Sequence, residues 1–295
     1  MKYKPMLAYP VSAKPIDYSK PVFIQQKLDG VRCLIKYENR PLKNIDDLSG
    51  QLTENVVVAY SRTGKEWKNI DHILNELIPF FAEHPNVVLD GELYNHDFKD
   101  DFEQIISMVR KTKPTPEARV KSRDNVQFHC YDIVNKKMNF STRNKWIAEY
   151  LPTSYCVNHV QTMLCPDEIS AKHGHQVNLD DGYEGSIVRL NTPYQCKRSH
   201  SLRKFKDFSD AEANIVGYEE GKGKRTGTLG KFIMQDDDGN QFGCPPGKGH
   251  NYKDLAIILA NIHEYMGQRA TFTYFERTKA GSYRHPLYKC LRDYE

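Results

Sequence analysis

Six short runs rich in β-branched and aromatic residues constrain this chain more than any other feature. They are "VFIQQKL", "VRCLIKY", "NVVVAYS", "NVVLDGELY", "NVQFHCYDIV" and "EGSIVRL", all before Thr192. Each has the length of a strand, and none approaches the ~20 apolar residues of a membrane span. Amphipathic helices fall between them. In "NIDHILNELIPFFAEH" the residues Ile70, Ile73, Leu74, Leu77, Ile78 and Phe81 recur at helical spacing, with Asp71 near the start. A second helix is expected in "DFEQIISMVRK", where Phe102, Ile105, Ile106 and Val109 share a face. Strands and helices mixed in this way predict an α+β unit.

The pattern changes near Asp207 to Asp210. Beyond it come "ANIVGYEEG", a glycine-rich "GKGKRTGTLG", and a hairpin "KFIMQDDDGNQFGC" with Asp238-Gly239 at its turn. One helix, "YKDLAIILANIHEYMG", and two more strands complete the chain. Several short strands with one helix suit a small barrel of the oligonucleotide-binding type, although other small barrels give similar strings. The expected domains are residues 1–208 and 209–295.

Composition excludes more than it selects. Of 295 residues, 39% are hydrophobic and 27% charged, the balance of a globular protein. The N-terminal stretch "MKYKPMLAYPVSAKPID" lacks the apolar core of a signal peptide, so an intracellular, cytoplasmic location without a membrane partner is expected. Seven cysteines, with no Cys-x-x-Cys pair, argue against a disulfide framework or a zinc ribbon. A metal site drawn from Cys165, His173, His175 and Cys196 fits no ligand spacing, and buried thiols with loop histidines are the better account. The residues from Ser209 onward are charge-balanced, so the net charge of +4 is carried by the residues before them. There the basic residues cluster twice: Arg110, Lys111, Lys113, Arg119, Lys121 and Arg123, then Lys197, Arg198, Arg203, Lys204 and Lys206. The first cluster reads equally well as a solvated face or a binding surface.

Polar residues embedded at strand ends form a set: "KLDGVR" (27–32), "SRTGKEW" (61–67), "LDGELY" (89–94), "FHCYDIV" (128–134), "YEGSIVRL" (183–190) and "LRKFKDF" (202–208). Glu92 and Glu184 sit where a strand would prefer a hydrophobe, and a carboxylate there needs a cation, a donor or a metal. Alternation places Lys204 and Lys206 on one strand face, which is unfavourable unless an anion lies between them. Lys27 precedes a Leu-Asp-Gly turn, with Asp29 and Arg32 close by. Arg32, Lys204 and Lys206 would lower the pKa of Lys27 and make its amine a nucleophile. The chemistry these residues suit is attack of a lysine on a nucleotide α-phosphate, helped by a divalent ion.

In order and spacing the six stretches resemble the motif series of the lysine-dependent nucleotidyltransferases, which comprise ATP-dependent DNA ligases, RNA ligases and mRNA-capping enzymes. "KPMLAYP" resembles the usual entry to their catalytic domain and "GTLGKFIMQDDDGNQF" the ligase oligonucleotide-binding domain, so almost the whole chain is covered. The nearest likeness is to the small ATP-dependent DNA ligases of phages and large DNA viruses. The resemblance implies an adenylation domain of antiparallel sheets flanked by helices, followed by an OB-fold barrel. It implies ATP as cosubstrate, magnesium or substituting manganese as metal, nicked duplex DNA as partner, and a monomer.

Residue by residue, the resemblance implies that Lys27 is adenylated and that Asp29 assists the later steps. Arg32 and Arg62 would lie near the nucleotide and the 5′-phosphate of the nick, with Lys65 also on the DNA. Gln25 would read the adenine edge and Tyr131 would stack on the base. Glu92 would contact ribose or metal, Glu184 would hold the catalytic magnesium, and Lys204 with Lys206 would grip the α-phosphate. "RHPLYKCLRD" partly matches the last family motif through Arg284, Pro286 and Arg292. Arg292 is expected near the pyrophosphate. Asp293 is displaced by one, with Tyr294 and Glu295 where many ligases end in Asp-Lys. The segment from Lys111 to Asn125 is expected to be a loop that grips the duplex or a surface connection. An RNA ligase or a capping guanylyltransferase would use the same lysine chemistry. "SRTGKEW" and the form of the barrel weigh against the capping enzyme.

Overall fold

A computed structural model describes residues 4–41, 53–99, 101–206, 209–247, 250–275, 277–278 and 281–292. The chain divides into two compact units, Met1–Phe205 and Lys206–Glu295.

The first unit is built on two five-stranded sheets. Its strands are β1 (Leu7–Pro10), β2 (Val22–Gln26), β3 (Val31–Pro41), β4 (Thr53–Tyr60), β5 (Val88–Tyr94), β6 (Gln127–Ile133), β7 (Val157–His159), β8 (Thr162–Cys165), β9 (Ser186–Leu190) and β10 (Arg198–Phe205). One sheet runs β1-β10-β9-β2-β8 and the other β4-β3-β5-β6-β7. All neighbours are antiparallel except β1 with β10 and β6 with β7. The strands β2 and β3, adjacent in sequence, therefore belong to different sheets. Residues 27–30 carry the chain from one to the other.

Among the described residues, six helices flank these sheets: α1 (Asp71–Glu76), α2 (Ile78–Glu83), α3 (Phe102–Val109), α4 (Pro116–Asn125), α5 (Phe140–Tyr150) and α6 (Glu168–Asp180). The main core joins Ile70, Ile73, Leu77, Phe81, Ile105 and Met108 to Cys33, Ile35, Leu89 and Phe128 of the second sheet. A smaller core sets Ala171 of α6 against Val22, Ile24 and Val188.

Two expectations change here. The apolar stripe from Ile70 to Phe81 is shared by two helices rather than one. Pro79 lacks an amide proton and suits only a first turn, so the helix restarts at Ile78. The basic segment before Asn125 is also mostly helical. Thr115 caps α4 by accepting from the Ala118 amide, and Ser122 is buried against the Asn69 carbonyl. Only residues 111–115 remain a connection. The side chain of Phe102 lies outside the described residues, as do Asp207, Phe208 and Asp293 to Glu295.

The second unit is a single sheet of β11 (Ser209–Glu220), β12 (Leu229–Gln235), β13 (Gln241–Cys244), β14 (Arg269–Tyr274) and β15 (Leu287–Leu291), with helix α7 (Tyr252–Ala260). Its order is β13-β12-β11-β14-β15, antiparallel throughout. The Tyr288 amide donates to the Pro245 carbonyl at 2.8 Å, bringing the strand at one edge to the chain just beyond the other. This contact closes the sheet toward a barrel. Phe232, Met234, Phe272 and Tyr288 fill its interior, with Leu255 and Ile258 of α7 against them. The hairpin turns at Asp238-Gly239 as the sequence indicates. Asp236 accepts from the amides of Asp238 and Asn240, and Gly239 takes a positive φ of 85°.

Candidate active site

Lys27 stands at the point where the chain leaves the first sheet for the second. Its amide donates to the Gly185 carbonyl at 3.0 Å, which ties the end of β2 to the turn before β9. Its ammonium is in contact with the carboxylate of Glu184. Both groups are largely shielded, with side-chain exposures of 17% and 5%. Gly30 is required by close approach, because a Cβ there would lie 2.4 Å from the Leu93 carbonyl and 2.7 Å from Cγ of Glu92.

A cavity of about 170 Å³ opens beside Lys27. Gln25, Lys27, Arg32, Glu92, Tyr131 and Arg189 are among its walls, so residues of both sheets contribute. Burial pushes the Glu92 carboxyl up to about 8, and the nearby Asp90 and Asp29 add to the rise. Arg32 and the Tyr131 hydroxyl, which donates to Glu92 at 3.2 Å, only partly oppose it. Burial likewise holds the Tyr131 phenol well above its usual value.

Two buried ion networks hold the walls in place. Arg32 grips Asp90 through two hydrogen bonds of 2.6 and 2.5 Å, and the Tyr194 hydroxyl donates to the same carboxylate at 2.6 Å. The charge of Arg32 is therefore matched by Asp90. Asp132 lies between Arg143, at 2.7 and 3.0 Å, and Arg189, at 2.7 Å. Arg32 and Arg189 both pack over the Tyr131 ring, 5.0 and 5.4 Å from its centroid.

A second cavity, of about 670 Å³, shares Arg32 and Glu92 with the first. Arg62 and Lys65 line it, joined by Trp67, Lys68, Arg110 and Lys111. The first basic cluster is thus split. Arg110 and Lys111 face this groove, whereas Arg119 pairs with Asp71 and Arg123 with Asp124.

Lys204, Lys206, Arg292 and Asp29 are not among the residues that line either cavity. Lys204 lies in β10 opposite Ile187, but β10 ends at Phe205. Lys206 belongs to the second unit, and its ammonium sits 3.9 Å from the Phe275 ring centroid. Arg203 of the second basic cluster is buried and donates to the His200 carbonyl. Arg292 is ion-paired with Glu212. Asp29 acts on Glu92 electrostatically. All seven cysteines are free, and His175 stacks on Phe205.

Sequence reasoning passed over Asp90, Asp132, Arg143, Arg189 and Tyr194. A signal existed for the two acids, which interrupt apolar strand runs as Glu92 does.

The family profile described as "ATP dependent DNA ligase domain" matches residues 5–206, and that described as "DNA ligase OB-like domain" matches residues 220–292. A DNA ligase of African swine fever virus is 28% identical over 230 residues, covering 72% of this chain and 48% of the relative. The DNA ligase of Enterobacteria phage T4 is 26% identical over 301 residues, covering 84% and 58%. The chain spans about half the length of the curated relatives it matches. Among solved structures, one from a structure-function study of Lig E DNA ligases superimposes with a TM-score of 0.75 at 21% identity, covering 99% of this chain and 100% of that one. A second, Pmar-Lig_PreS3, gives 0.76 at 22% identity, covering 98% of this chain and 68% of that one. These two likenesses concern the fold.

Proposed function

The chain belongs to the ATP-dependent DNA ligase family, and on that premise we propose that it seals nicks between a 5′-phosphate and a 3′-hydroxyl in duplex DNA. The observation that carries this reading is Lys27 itself, shielded, touching Glu184 and lining a cavity with Glu92, Tyr131 and Arg189. Lysine is a nucleophile only as the free amine, and the Glu184 carboxylate is the group beside it that can take its proton. The amine then attacks the α-phosphorus of ATP, a P–N bond forms, and the bond to pyrophosphate breaks. AMP passes next to the 5′-phosphate of the nick and frees Lys27. Last, the 3′-hydroxyl attacks that phosphate and AMP departs.

Gln25, Arg32, Glu92 and Tyr131 are assigned to the nucleotide, Asp29 to the later steps, and Arg62 and Lys65 to DNA. Lys204 and Lys206 are assigned to phosphate, and Arg292 to pyrophosphate. Magnesium, or manganese in its stead, suits Glu92 and Glu184. Both are oxygen donors, and a cation bound at Glu92 would take the place of the proton that burial keeps on its carboxyl. Among the described residues no group of three or more His, Cys, Asp or Glu is placed to hold a metal. A site of two carboxylates completed by phosphate oxygens and water is what magnesium accepts. Bound there, the ion would neutralise charge on the attacked phosphate.

Residues 1–208 would form the adenylating domain and 209–295 the OB-like domain of an intracellular monomer. The described residues include no helix long and apolar enough to cross a membrane. The test is conversion of a 5′-labelled nicked duplex to full-length strand with ATP and magnesium, resolved on a denaturing gel. Absence of both sealed strand and adenylated 5′ end would overturn the reading.

A further inference from the structure

Glu184 stands on the turn that joins α6 to β9, and that turn is held from both sheets. On the side of the first sheet, the Lys27 amide donates to the Gly185 carbonyl. The Asn178 side chain donates to the Gln25 carbonyl at 3.4 Å and to the Ser186 hydroxyl at 2.8 Å. Within the turn, the amides of Gly182 and Tyr183 donate to the carbonyls of Leu179 and Asn178, and Gly182 takes a positive φ of 82°. From the second sheet comes a short 3-10 turn, His96–Phe98, one residue beyond β5. His96 Nε2 meets the Asp181 carbonyl at 3.1 Å. The rings of His96 and Tyr183 pack with their centroids 4.5 Å apart. Lys99 lies over Gly182, where a Cβ would stand 2.7 Å from its Nζ.

The partner of His96 decides which nitrogen carries the hydrogen. A peptide carbonyl only accepts, so Nε2 must donate. In the neutral ring Nδ1 is then left to accept from the Tyr94 hydroxyl at 2.7 Å. Both nitrogens are satisfied in one orientation of the ring. Its mounting is firm as well. Tyr94 is buried in β5 and meets the His129 ring edge-on, with centroids 5.4 Å apart. Asn95 caps the 3-10 turn by accepting from the Asp97 amide, and it donates to the Asn125 carbonyl. Tyr94, His96, Lys99 and Tyr183 are not among the residues that line the cavity beside Lys27, so contact with a nucleotide there does not account for them.

We propose that His96 is a positioning residue for Glu184, fixing from the second sheet the turn that sets this carboxylate against Lys27. A carboxylate that takes a proton must be held within hydrogen-bond reach of the amine. A displacement of about 1 Å, caused far from the chemistry, can cost about a hundredfold in rate. Strand β5 thereby serves the site twice, with Glu92 in the cavity wall and His96, four residues on, behind Glu184. The inference rests on the reading that Glu184 takes the proton of Lys27, and it adds what holds Glu184 in place.

The test is single-turnover labelling of Lys27 by ATP. The rate constant comes from the approach to the endpoint, so inactive molecules lower the endpoint and not the rate. His96→Met keeps the length of the side chain and loses the donor. Its rate should fall about ten- to hundredfold, with the ATP concentration for half-maximal rate unchanged. His96→Gln, alike in shape with a donor restored, should recover most of the rate. In a Glu184→Gln background, His96→Met should cost nothing further, because the group it positions is already gone. An unchanged rate in His96→Met, an equal loss in His96→Gln, or the full loss repeated in the Glu184→Gln background overturns the proposal. Should Glu184→Gln label too slowly to follow, the Met and Gln variants decide. A His96→Met protein that does not fold leaves Tyr94→Phe, which frees the ring to turn and should slow labelling several-fold; an unchanged rate there overturns the proposal. Labelling of Glu184→Gln at the wild-type rate, or no label in wild type, overturns the underlying reading and the proposal with it.

Discussion

Lys27 and Glu92 show how one residue's surroundings decide its chemistry. Lys27→Ala is expected to abolish both the covalent nucleotide adduct and sealing while leaving DNA binding nearly intact. A labelling gel beside a binding titration would check this, and a sealing-competent variant would exclude Lys27 as nucleophile. Glu92 carries a pH signature. Its carboxyl is raised in the fold from 4.5 to about 8, so between those values the folded chain holds a proton that the unfolded chain has lost. This contribution to stability is complete below 4.5 and is lost as pH rises through about 8. Wild-type Tm should therefore fall more steeply across that interval than the Tm of Glu92→Gln, as calorimetry would show. The oddity of Glu92 was legible because a carboxylate in an apolar strand needs an explanation. Arg189 was not, since its partners Gln25 and Asp132 come from strands distant in sequence.

At the scale of elements, the crossing from β2 to β3 is the most constrained stretch. Gly30→Ala would press a methyl into the Leu93 carbonyl and Cγ of Glu92, at an expected cost of about 1–3 kcal/mol in urea unfolding. Asp132→Ala would strand two buried guanidiniums and cost more, about 3–5 kcal/mol by the same measurement. All six strand runs correspond to observed strands, because β-branched patterning is local information. The short strands β7 and β8 carry too few residues for such a pattern. Helix α4 escaped because its proline and charges read as a connection, whereas Pro116 occupies the first turn that tolerates it. The break at Pro79 was visible in the sequence and was overridden by an unbroken apolar stripe.

For the whole molecule, the two-part organisation was legible from the change of pattern near residue 208, and the compact units divide at Phe205 and Lys206. That β2 and β3 part into separate sheets was not legible. Sequence adjacency suggests a hairpin, and only the pairing of β2 with β8 and β9 excludes one. The groove lined by Arg62, Lys65, Arg110 and Lys111 gives a prediction at this scale. If it holds DNA phosphates, the Arg110→Ala/Lys111→Ala protein should bind nicked duplex more weakly at every sequence. Its plot of log K against log salt should flatten by about two contacts' worth, nearly 0.9 per contact. An unaltered slope in fluorescence anisotropy would remove these two residues from the interface.

The seat of Lys27 between two sheets has one more consequence. Its backbone is tied to Gly185 on one side, and its cavity needs Glu92 and Tyr131 from the other. Neither sheet alone can assemble the pocket, so a chain with one of them melted should be blind to nucleotide. A radioactive adenylate on this lysine would then serve as a built-in certificate of correct assembly, counting in a mixed preparation only the molecules whose two halves have closed on each other.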